Sequence, residues 1–317
     1  MWISTLCGFE AFRPSSCDLM VKPMDASIVI RTKNEAEFIG ETLSRVEAQT
    51  FDGTHEVIVV DSGSTDETTK IAEGHKAKII QIAAKEFTYG KALNLGADVA
   101  EGRFIVNLSA HALPADKNWL GNLVSEFETS KVAGVYGQQL SSGYMNPFDA
   151  CRNEGFFGNR RKHFKGDNGR ALRDLHFSNC NSAVRREIWK RFKFDEAVAY
   201  AEDVLWQRTV ISAGYTIVYA PVAAVYHTHP VHLRSAFRNS RNCAGSLASL
   251  DGKRRSKSLI LYDSAVFLTM LANGLHGNLS YILKNRHFHF LKIAPIYVLA
   301  ECLGWLVGRI AYRTARA

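Results

Sequence analysis

The sequence predicts an α/β fold built on a mostly parallel sheet, and three observations carry that prediction. Apolar runs of strand length alternate with helical stretches between residues 26 and 140, the runs are rich in Val and Ile, and each ends on a polar or glycine-containing turn. Ligands in such sheets collect beyond the carboxyl ends of the strands, so the polar turns there are the first candidates for function.

The elements follow in order. "ASIVIRT" (26–32) reads as a buried strand, and "NEAEFIGETLSRVEAQT" (34–50) as an amphipathic helix with Phe38, Ile39, Leu43 and Val46 near helical spacing. "HEVIVVD" is the second strand, and "DETTKIAEGH" a helix with Asp66 as its expected N-cap. Residues 77–82, 102–110 and 132–140 continue as strands, with a helix over 90–102. The stretch 141–175 has no sustained period and reads as a long loop, of the kind that often carries function. Regular structure returns at "HFSNCNSAVRREIWKRF", continues as a helix from about Glu202 to Ala213, and ends in a strand over 215–227.

The chain has 317 residues, 46% of them hydrophobic and 22% charged, which is ordinary for a globular protein and excludes disorder as the default. Six cysteines without a CxxC pair argue against a zinc knuckle or a disulfide framework and fit a reducing, cytoplasmic setting. The net charge of +8 is unevenly placed: 13 Lys/Arg face 3 Asp/Glu from His232 onward, against 26 and 28 before it. Within that basic tail "IAPIYVLA" and "CLGWLVG" are separated by Glu301, short of the roughly 18–20 uninterrupted residues of a membrane span. An interfacial helix is expected, either covering the core or a homodimer partner, or resting peripherally on the anionic inner face of the cell membrane. The amino end shows no signal-peptide order, Met20 and Met24 offer alternative starts, and residues 1–24 read as a peripheral extension.

No G-x-G-x-x-G follows the first strand and no G-x-x-x-x-G-K-[ST] occurs, which removes dinucleotide and P-loop readings. In "DSGSTD", Asp61 can accept from a base or ribose, Gly63 permits a tight bend and Ser64 offers a hydroxyl. A purely structural turn explains the same residues. The tail lacks interleaved aromatic and basic residues on a recognisable module, so no nucleic acid is expected as partner.

"SIVIRTKNEAEFIGETLSRVEAQTF" and "EVIVVDSGSTDETTKIA" resemble the opening of family 2 glycosyltransferases. The likeness runs on through "FTYGKALNLGADVAEGRFIVNLSAHALPADKNWL", "FSNCNSAVRREIW", "YAEDVLWQRTVISAGYTIVYAPVAAVYHTHP" and "RSAFRNSRNCAG", nearest to a rhamnosyltransferase-like subgroup. The resemblance implies a GT-A domain over 25–245, with a nucleotide-sugar half (25–140) and an acceptor half (141–245), followed by a basic helical region (246–317). It implies an inverting transfer of a hexose or rhamnose-like deoxyhexose from a nucleoside-diphosphate sugar to a glycan or lipid-linked acceptor. Thr32, Asn34, Glu35, Asp61 and Ser64 would line the nucleotide pocket, with Asp61 toward the base, and Lys91 and Asn94 would reach the ribose or diphosphate. Asp203 would be the general base, with Glu202 beside it, although two acids at a helix start also suit its dipole. The family's acidic metal motif falls on Ser109-Ala110-His111, where an imidazole replaces the expected carboxylate. His111 and His229 are the candidate ligands for a divalent cation, with His227, which shares a face with His229 at the strand end, as the alternative to it, and imidazole suits Mn²⁺ better than Mg²⁺. The same departure supports a rival reading, a catalytically silent GT-A scaffold that binds nucleotide or glycan. Unchanged membrane association after removal of residues 258–317 would sink the membrane reading and leave the catalytic one untouched.

Overall fold

The computed structural model describes residues 24–141, 146–166, 176–248 and 257–314; the expected amino-terminal extension lies almost wholly outside them. Nine strands form one sheet in the order β3-β2-β1-β4-β8-β6-β9-β5, with β7 on the remaining stretch of the β9 edge. The first four, β1 (Ala26–Thr32), β2 (His55–Asp61), β3 (Lys78–Gln81) and β4 (Phe104–Ser109), are parallel and in register, Thr32 opposite Asp61 and Arg31 opposite Ser109. They are nearly continuous aliphatic runs because helices cover both faces: α1 (Ile39–Glu47) and α2 (Thr68–Gly74) on one, α3 (Tyr89–Asp98) on the other. Helix α1 is shorter than its periodicity suggested. Asn34 adopts a left-handed φ of 54° and residues 34–38 form a turn before the helix. Asp66 precedes the assigned cap, Glu67, but its carboxylate still accepts from the Thr68 N–H and from that of Ala36.

The second half departs from simple alternation. β8 (Asn181–Arg185) inserts antiparallel between β4 and β6 (Val132–Leu140), while β9 (Thr216–His227) runs parallel to β6. The free edge of β9 is shared by β7 (Lys162–Lys165) near its start and β5 (Ala112–Pro114) near its end. The stretch expected to be a loop thus contains a strand, β7, and a helix, α5 (Pro147–Phe156); residues 142–145 and 167–175 lie outside the described residues. Helices α4 (Trp119–Val124), α6 (Arg186–Arg191) and α7 (Glu202–Ser212) complete the layers.

Among the described residues the tail holds three α-helices, α8 (Leu233–Leu247), α9 (Lys257–Lys284) and α10 (Ala294–Thr314). The two apolar runs flanking Glu301 form one helix, α10, long and apolar enough to cross a membrane by length and composition. Here it packs on α8. A Cβ at Gly304 would stand 2.2 Å from the Phe237 carbonyl oxygen, and one at Gly308 2.1 Å from that of Arg241, so only glycines allow so close an approach. Asp263 of α9 is buried between Arg309 and Arg313 of α10. The opposite side of α10 exposes Ile296, Leu299, Leu303, Val307 and Ile310, a stripe at three- and four-residue spacing.

Candidate active site

The carboxyl edges of β1, β4, β6 and β9 open into a cleft of about 690 Å³. Its floor carries Thr32, Glu35, Ser62 and Ser109; its far wall carries Tyr200, Glu202, Asp203, His227 and His229.

Three histidines meet at one end. β5 pairs with the end of β9 so that Ala112 lies opposite His227, which sets His111 beside it with the rings stacked at 4.9 Å. His229 follows two residues later on the same side, and His111 Nε2 is 3.1 Å from both His227 Nε2 and His229 Nε2. Each Nδ1 faces an oxygen: His111 Glu35 Oε1 at 2.9 Å, His227 Gln139 Oε1 at 3.0 Å, and His229 Asp149 Oδ2 at 3.5 Å. Gln139 is placed for this by a bulge in β6 between Gly137 and Gln139. An Nδ1 that donates to an oxygen leaves Nε2 as the ligand atom, and carboxylate–imidazole pairs of this kind orient metal-binding histidines. Ligand nitrogens about 2.0–2.1 Å from a shared ion stand about 2.9–3.4 Å apart; His111 has that spacing to both partners and the three ligand nitrogens lie within 4.8 Å of one another, a donor set that can hold a divalent metal.

The electrostatics separate the three rings. Burial lowers the pKa of His111, only partly offset by its bond to Glu35, and lowers that of His227 to about 3. The Asp149 bond raises that of His229. Burial works to raise the Asp149 carboxyl, but the bond to His229 and the charge of Arg152 outweigh it and hold it below its usual range. Arg152 in turn bonds Asp149 and, through Nη1, Glu301 Oε1 of α10 at 2.8 Å.

The acid pair sits at the start of α7. Ala201, immediately before it, has a left-handed φ of 63°, a conformation that costs a non-glycine residue about 1 kcal/mol or more and turns both acids toward the cleft. Asp203 Oδ2 accepts from the Asn179 N–H at 3.1 Å and Oδ1 from that of Val204 at 2.8 Å. Asn179 also donates from Nδ2 to Glu202 Oε1. Burial, and then the neighbouring Glu202, push the Asp203 carboxyl well above the usual carboxylate range.

The "DSGSTD" turn proves to be a knot. Asp61 is 1% exposed, and its carboxylate accepts from the N–H groups of Gly63 and Ser64 and from the Ser64 hydroxyl. Asn34 ties in by accepting from Thr65 N–H at 2.8 Å and donating its own N–H to Ser64 Oγ. Ser62, rather than Asp61, faces the cleft. Lys91 pairs with Glu86 at 2.8 Å, and neither it nor Asn94 lines the cleft. Asn94 is 2% exposed with all four bonding positions used, donating to Phe194 O and Glu196 Oε1 and accepting from Trp189 Nε1 and the Phe194 N–H. It pins the 194–196 loop to α3.

Sequence reasoning did not single out Asp149, Arg152, Gln139, Asn179, Arg31 or Tyr200. A signal existed for the first two: Asn146-Pro147 is an N-cap followed by proline at the first helical position, and Asn146 accepts from the N–H groups of Phe148 and Asp149. Arg31 lies over the Tyr89 ring at 5.0 Å, and its buried Nε has no partner among the described residues.

Residues 27–192 match the family model Glycosyl transferase family 2. The chain belongs to that family. Its curated relatives include the O-antigen chain rhamnosyltransferase RfbN of Salmonella typhimurium, 30% identical over 68% of this chain and 70% of that one. WbaN of Salmonella anatum, another O-antigen chain rhamnosyltransferase, is 33% identical over 58% of this chain and 59% of its own length. Among solved structures, the mannosyltransferase PcManGT from Pyrobaculum calidifontis, in complex with GDP-Man and Mn²⁺, superposes with a TM-score of 0.60, 18% identity and 92% and 88% coverage. TarS of S. aureus (residues 1–349, with UDP-GlcNAc) does so at 0.54, with 18% identity and 92% coverage of both chains. At that identity the likeness is one of fold, and the fold of this family 2 glycosyltransferase is GT-A with a helical carboxyl-terminal region. It is a nucleotide-sugar glycosyltransferase of the rhamnosyltransferase-like subgroup.

Proposed function

We propose that this enzyme transfers a rhamnose-like deoxyhexose, with inversion, from a nucleoside-diphosphate donor to a growing, lipid-linked glycan. The observation that carries the reading is that Asp203 and the three histidines line the same cleft at the carboxyl edge of the sheet. The acceptor hydroxyl attacks the anomeric carbon and its proton passes to Asp203. The bond between that carbon and the diphosphate oxygen breaks, and the nucleoside diphosphate leaves. A carboxyl held above its usual range is a stronger base once ionised, which suits that task. Arg31, Lys33 and Arg238, all on the cleft wall, supply positive charge to the departing diphosphate. A divalent ion held by His111, His227 and His229 would add charge neutralisation at the same place.

The knot around Asp61 and Asn34 gives the nucleotide a fixed floor, with Thr32 and Ser62 as its polar contacts. The exposed apolar stripe of α10, beside a basic tail, supports residence on an anionic membrane where lipid-linked acceptors lie, with a second copy of the chain as the rival occupant.

The test begins with thermal shifts against dTDP-, UDP- and GDP-sugars, where a donor at 100 times its Kd stabilises by about 2.7 kcal/mol. Transfer to a lipid-linked acceptor is then compared between wild type and Asp203→Asn. Donor binding with no transfer by the wild type across acceptors would replace the transferase reading with the silent scaffold.

A further inference from the structure

The tail helix α10 lies outside the sheet that builds the cleft, yet it reaches the histidine cluster through an unbroken line of charge. Glu301 Oε1 meets Arg152 Nη1 at 2.8 Å, Arg152 bridges to Asp149 Oδ1, and the other Asp149 oxygen stands 3.5 Å from His229 Nδ1. Three further contacts hold the line in place. Phe148 of α5 stacks on Tyr297 of α10 at 4.0 Å, Ser240 of α8 donates to the Glu301 carbonyl at 2.7 Å, and Gly304 and Gly308 fix the seating of α10 on α8. Asp149 is buried and Glu301 half-buried; the Arg152 side chain between them is 42% exposed, so it is the paired geometry of its two charge-assisted bonds, rather than exclusion of solvent, that holds both carboxylates in place.

We infer that Glu301 and Arg152 are positioning residues for the ion-binding histidines, so that the seating of α10 sets the orientation of His229. The inference rests on the reading of those histidines as ion ligands. His229 needs such support more than its partners. It follows the end of β9 and its side chain is 52% exposed, whereas His227 is held in the strand and His111 between two strands. Arginine is required at the centre because its planar fork serves two carboxylates at once, which a lysine cannot reproduce. The outer face of α10 carries the apolar stripe, so whatever docks there acts on the same helix that steadies the site.

The experiment uses the full chain. Mn²⁺ affinity is measured from the electron paramagnetic resonance signal of free Mn²⁺, for wild type, Arg152→Lys, Glu301→Gln and, as a control on exposed α2 outside the cleft, Lys70→Ala, well below each melting temperature. Arg152→Lys and Glu301→Gln are expected to weaken binding by roughly 10–100-fold, the usual loss when an orienting partner is removed, while Lys70→Ala stays within about twofold. A merely structural role would lower the melting temperature and leave the affinity unchanged, and that result overturns the inference. In parallel, the ¹⁵N shifts of the His229 imidazole, read without metal, should move in Arg152→Lys and not in Lys70→Ala. If wild type binds no Mn²⁺, the ion reading fails by itself, and an unmoved His229 ring then overturns the positioning role too.

Discussion

The two walls of the cleft are built on different principles. The wall from β1 and β2 is local: Asp61, Ser64, Asn34 and Thr65 satisfy one another within two adjacent turns. The opposite wall is assembled from a distance, with His111, His227, Asp149 and Glu301 drawn from four separate elements. Local walls tolerate distant change and fail abruptly when their own residues are altered. Assembled walls lose function in graded steps, because each contact positions another.

The largest expected effect is at the acid on the assembled wall. Asp203→Asn should cut transfer by roughly 10²–10⁴-fold with donor binding nearly intact, and full turnover in a glycan assay would remove Asp203 from the mechanism. Next is His227→Gln, which removes an ion ligand without touching Asp203; Mn²⁺ affinity should fall at least tenfold, and wild-type affinity would confine the site to His111 and His229. On the local wall, Asp61→Ala strands two N–H groups and should destabilise the fold by about 1–3 kcal/mol in urea melts, with donor affinity reduced as a consequence. A stable variant that has lost only donor affinity would instead put Asp61 in direct contact with the base. The smallest effect is at Lys91, whose pair with Glu86 is exposed to solvent and contributes little. Lys91→Ala should leave the donor KM unchanged while Arg31→Ala raises it, and the reverse would place Lys91 at the diphosphate.

A pH test sharpens the contrast. With its carboxyl held high by burial and Glu202, Asp203 must ionise to act, so turnover should rise with pH through that elevated pKa. Stability runs the other way: between the ordinary carboxylate range and the raised value the folded chain keeps a proton that the unfolded chain has lost, so stability falls as pH rises. Asp203→Asn should therefore melt higher than wild type near neutral pH, with the gap closing in acid. A constant difference across pH would mean the carboxyl is not raised.

The local wall was legible in the sequence because its signals are local: apolar runs ending on Asp, Ser and Gly place a turn at the carboxyl edge wherever the strands fall. Asp203 and Glu202 were legible through the ordered motifs around them. Asn94 and Lys91, expected at the donor, lie off the cleft lining, because sequence order gives the helix but neither the face that meets the 194–196 loop nor the Glu86 partner of Lys91. His227 was visible as a candidate beside His229, but the meeting of all three rings and the part of Asp149 depend on β5 closing against β9 and on α5 docking against α10, pairings of residues more than a hundred positions apart or hidden in a stretch with no period. Removing residues 258–317 also removes Glu301 and its bond to Arg152, so that deletion damages more than the exposed stripe. Point substitutions on the exposed stripe, such as Leu303→Glu, separate vesicle binding from that damage.

Ala201 shows the bargain at the level of one residue. An alanine in the left-handed region is a poor beginning for a helix, and glycine there would relax the backbone. Relaxation would also free the first turn of α7 to swing, dispersing two carboxylates that now share one heading. Screening for thermal tolerance would therefore select Ala201→Gly, and the hardier enzyme it returned would be slower.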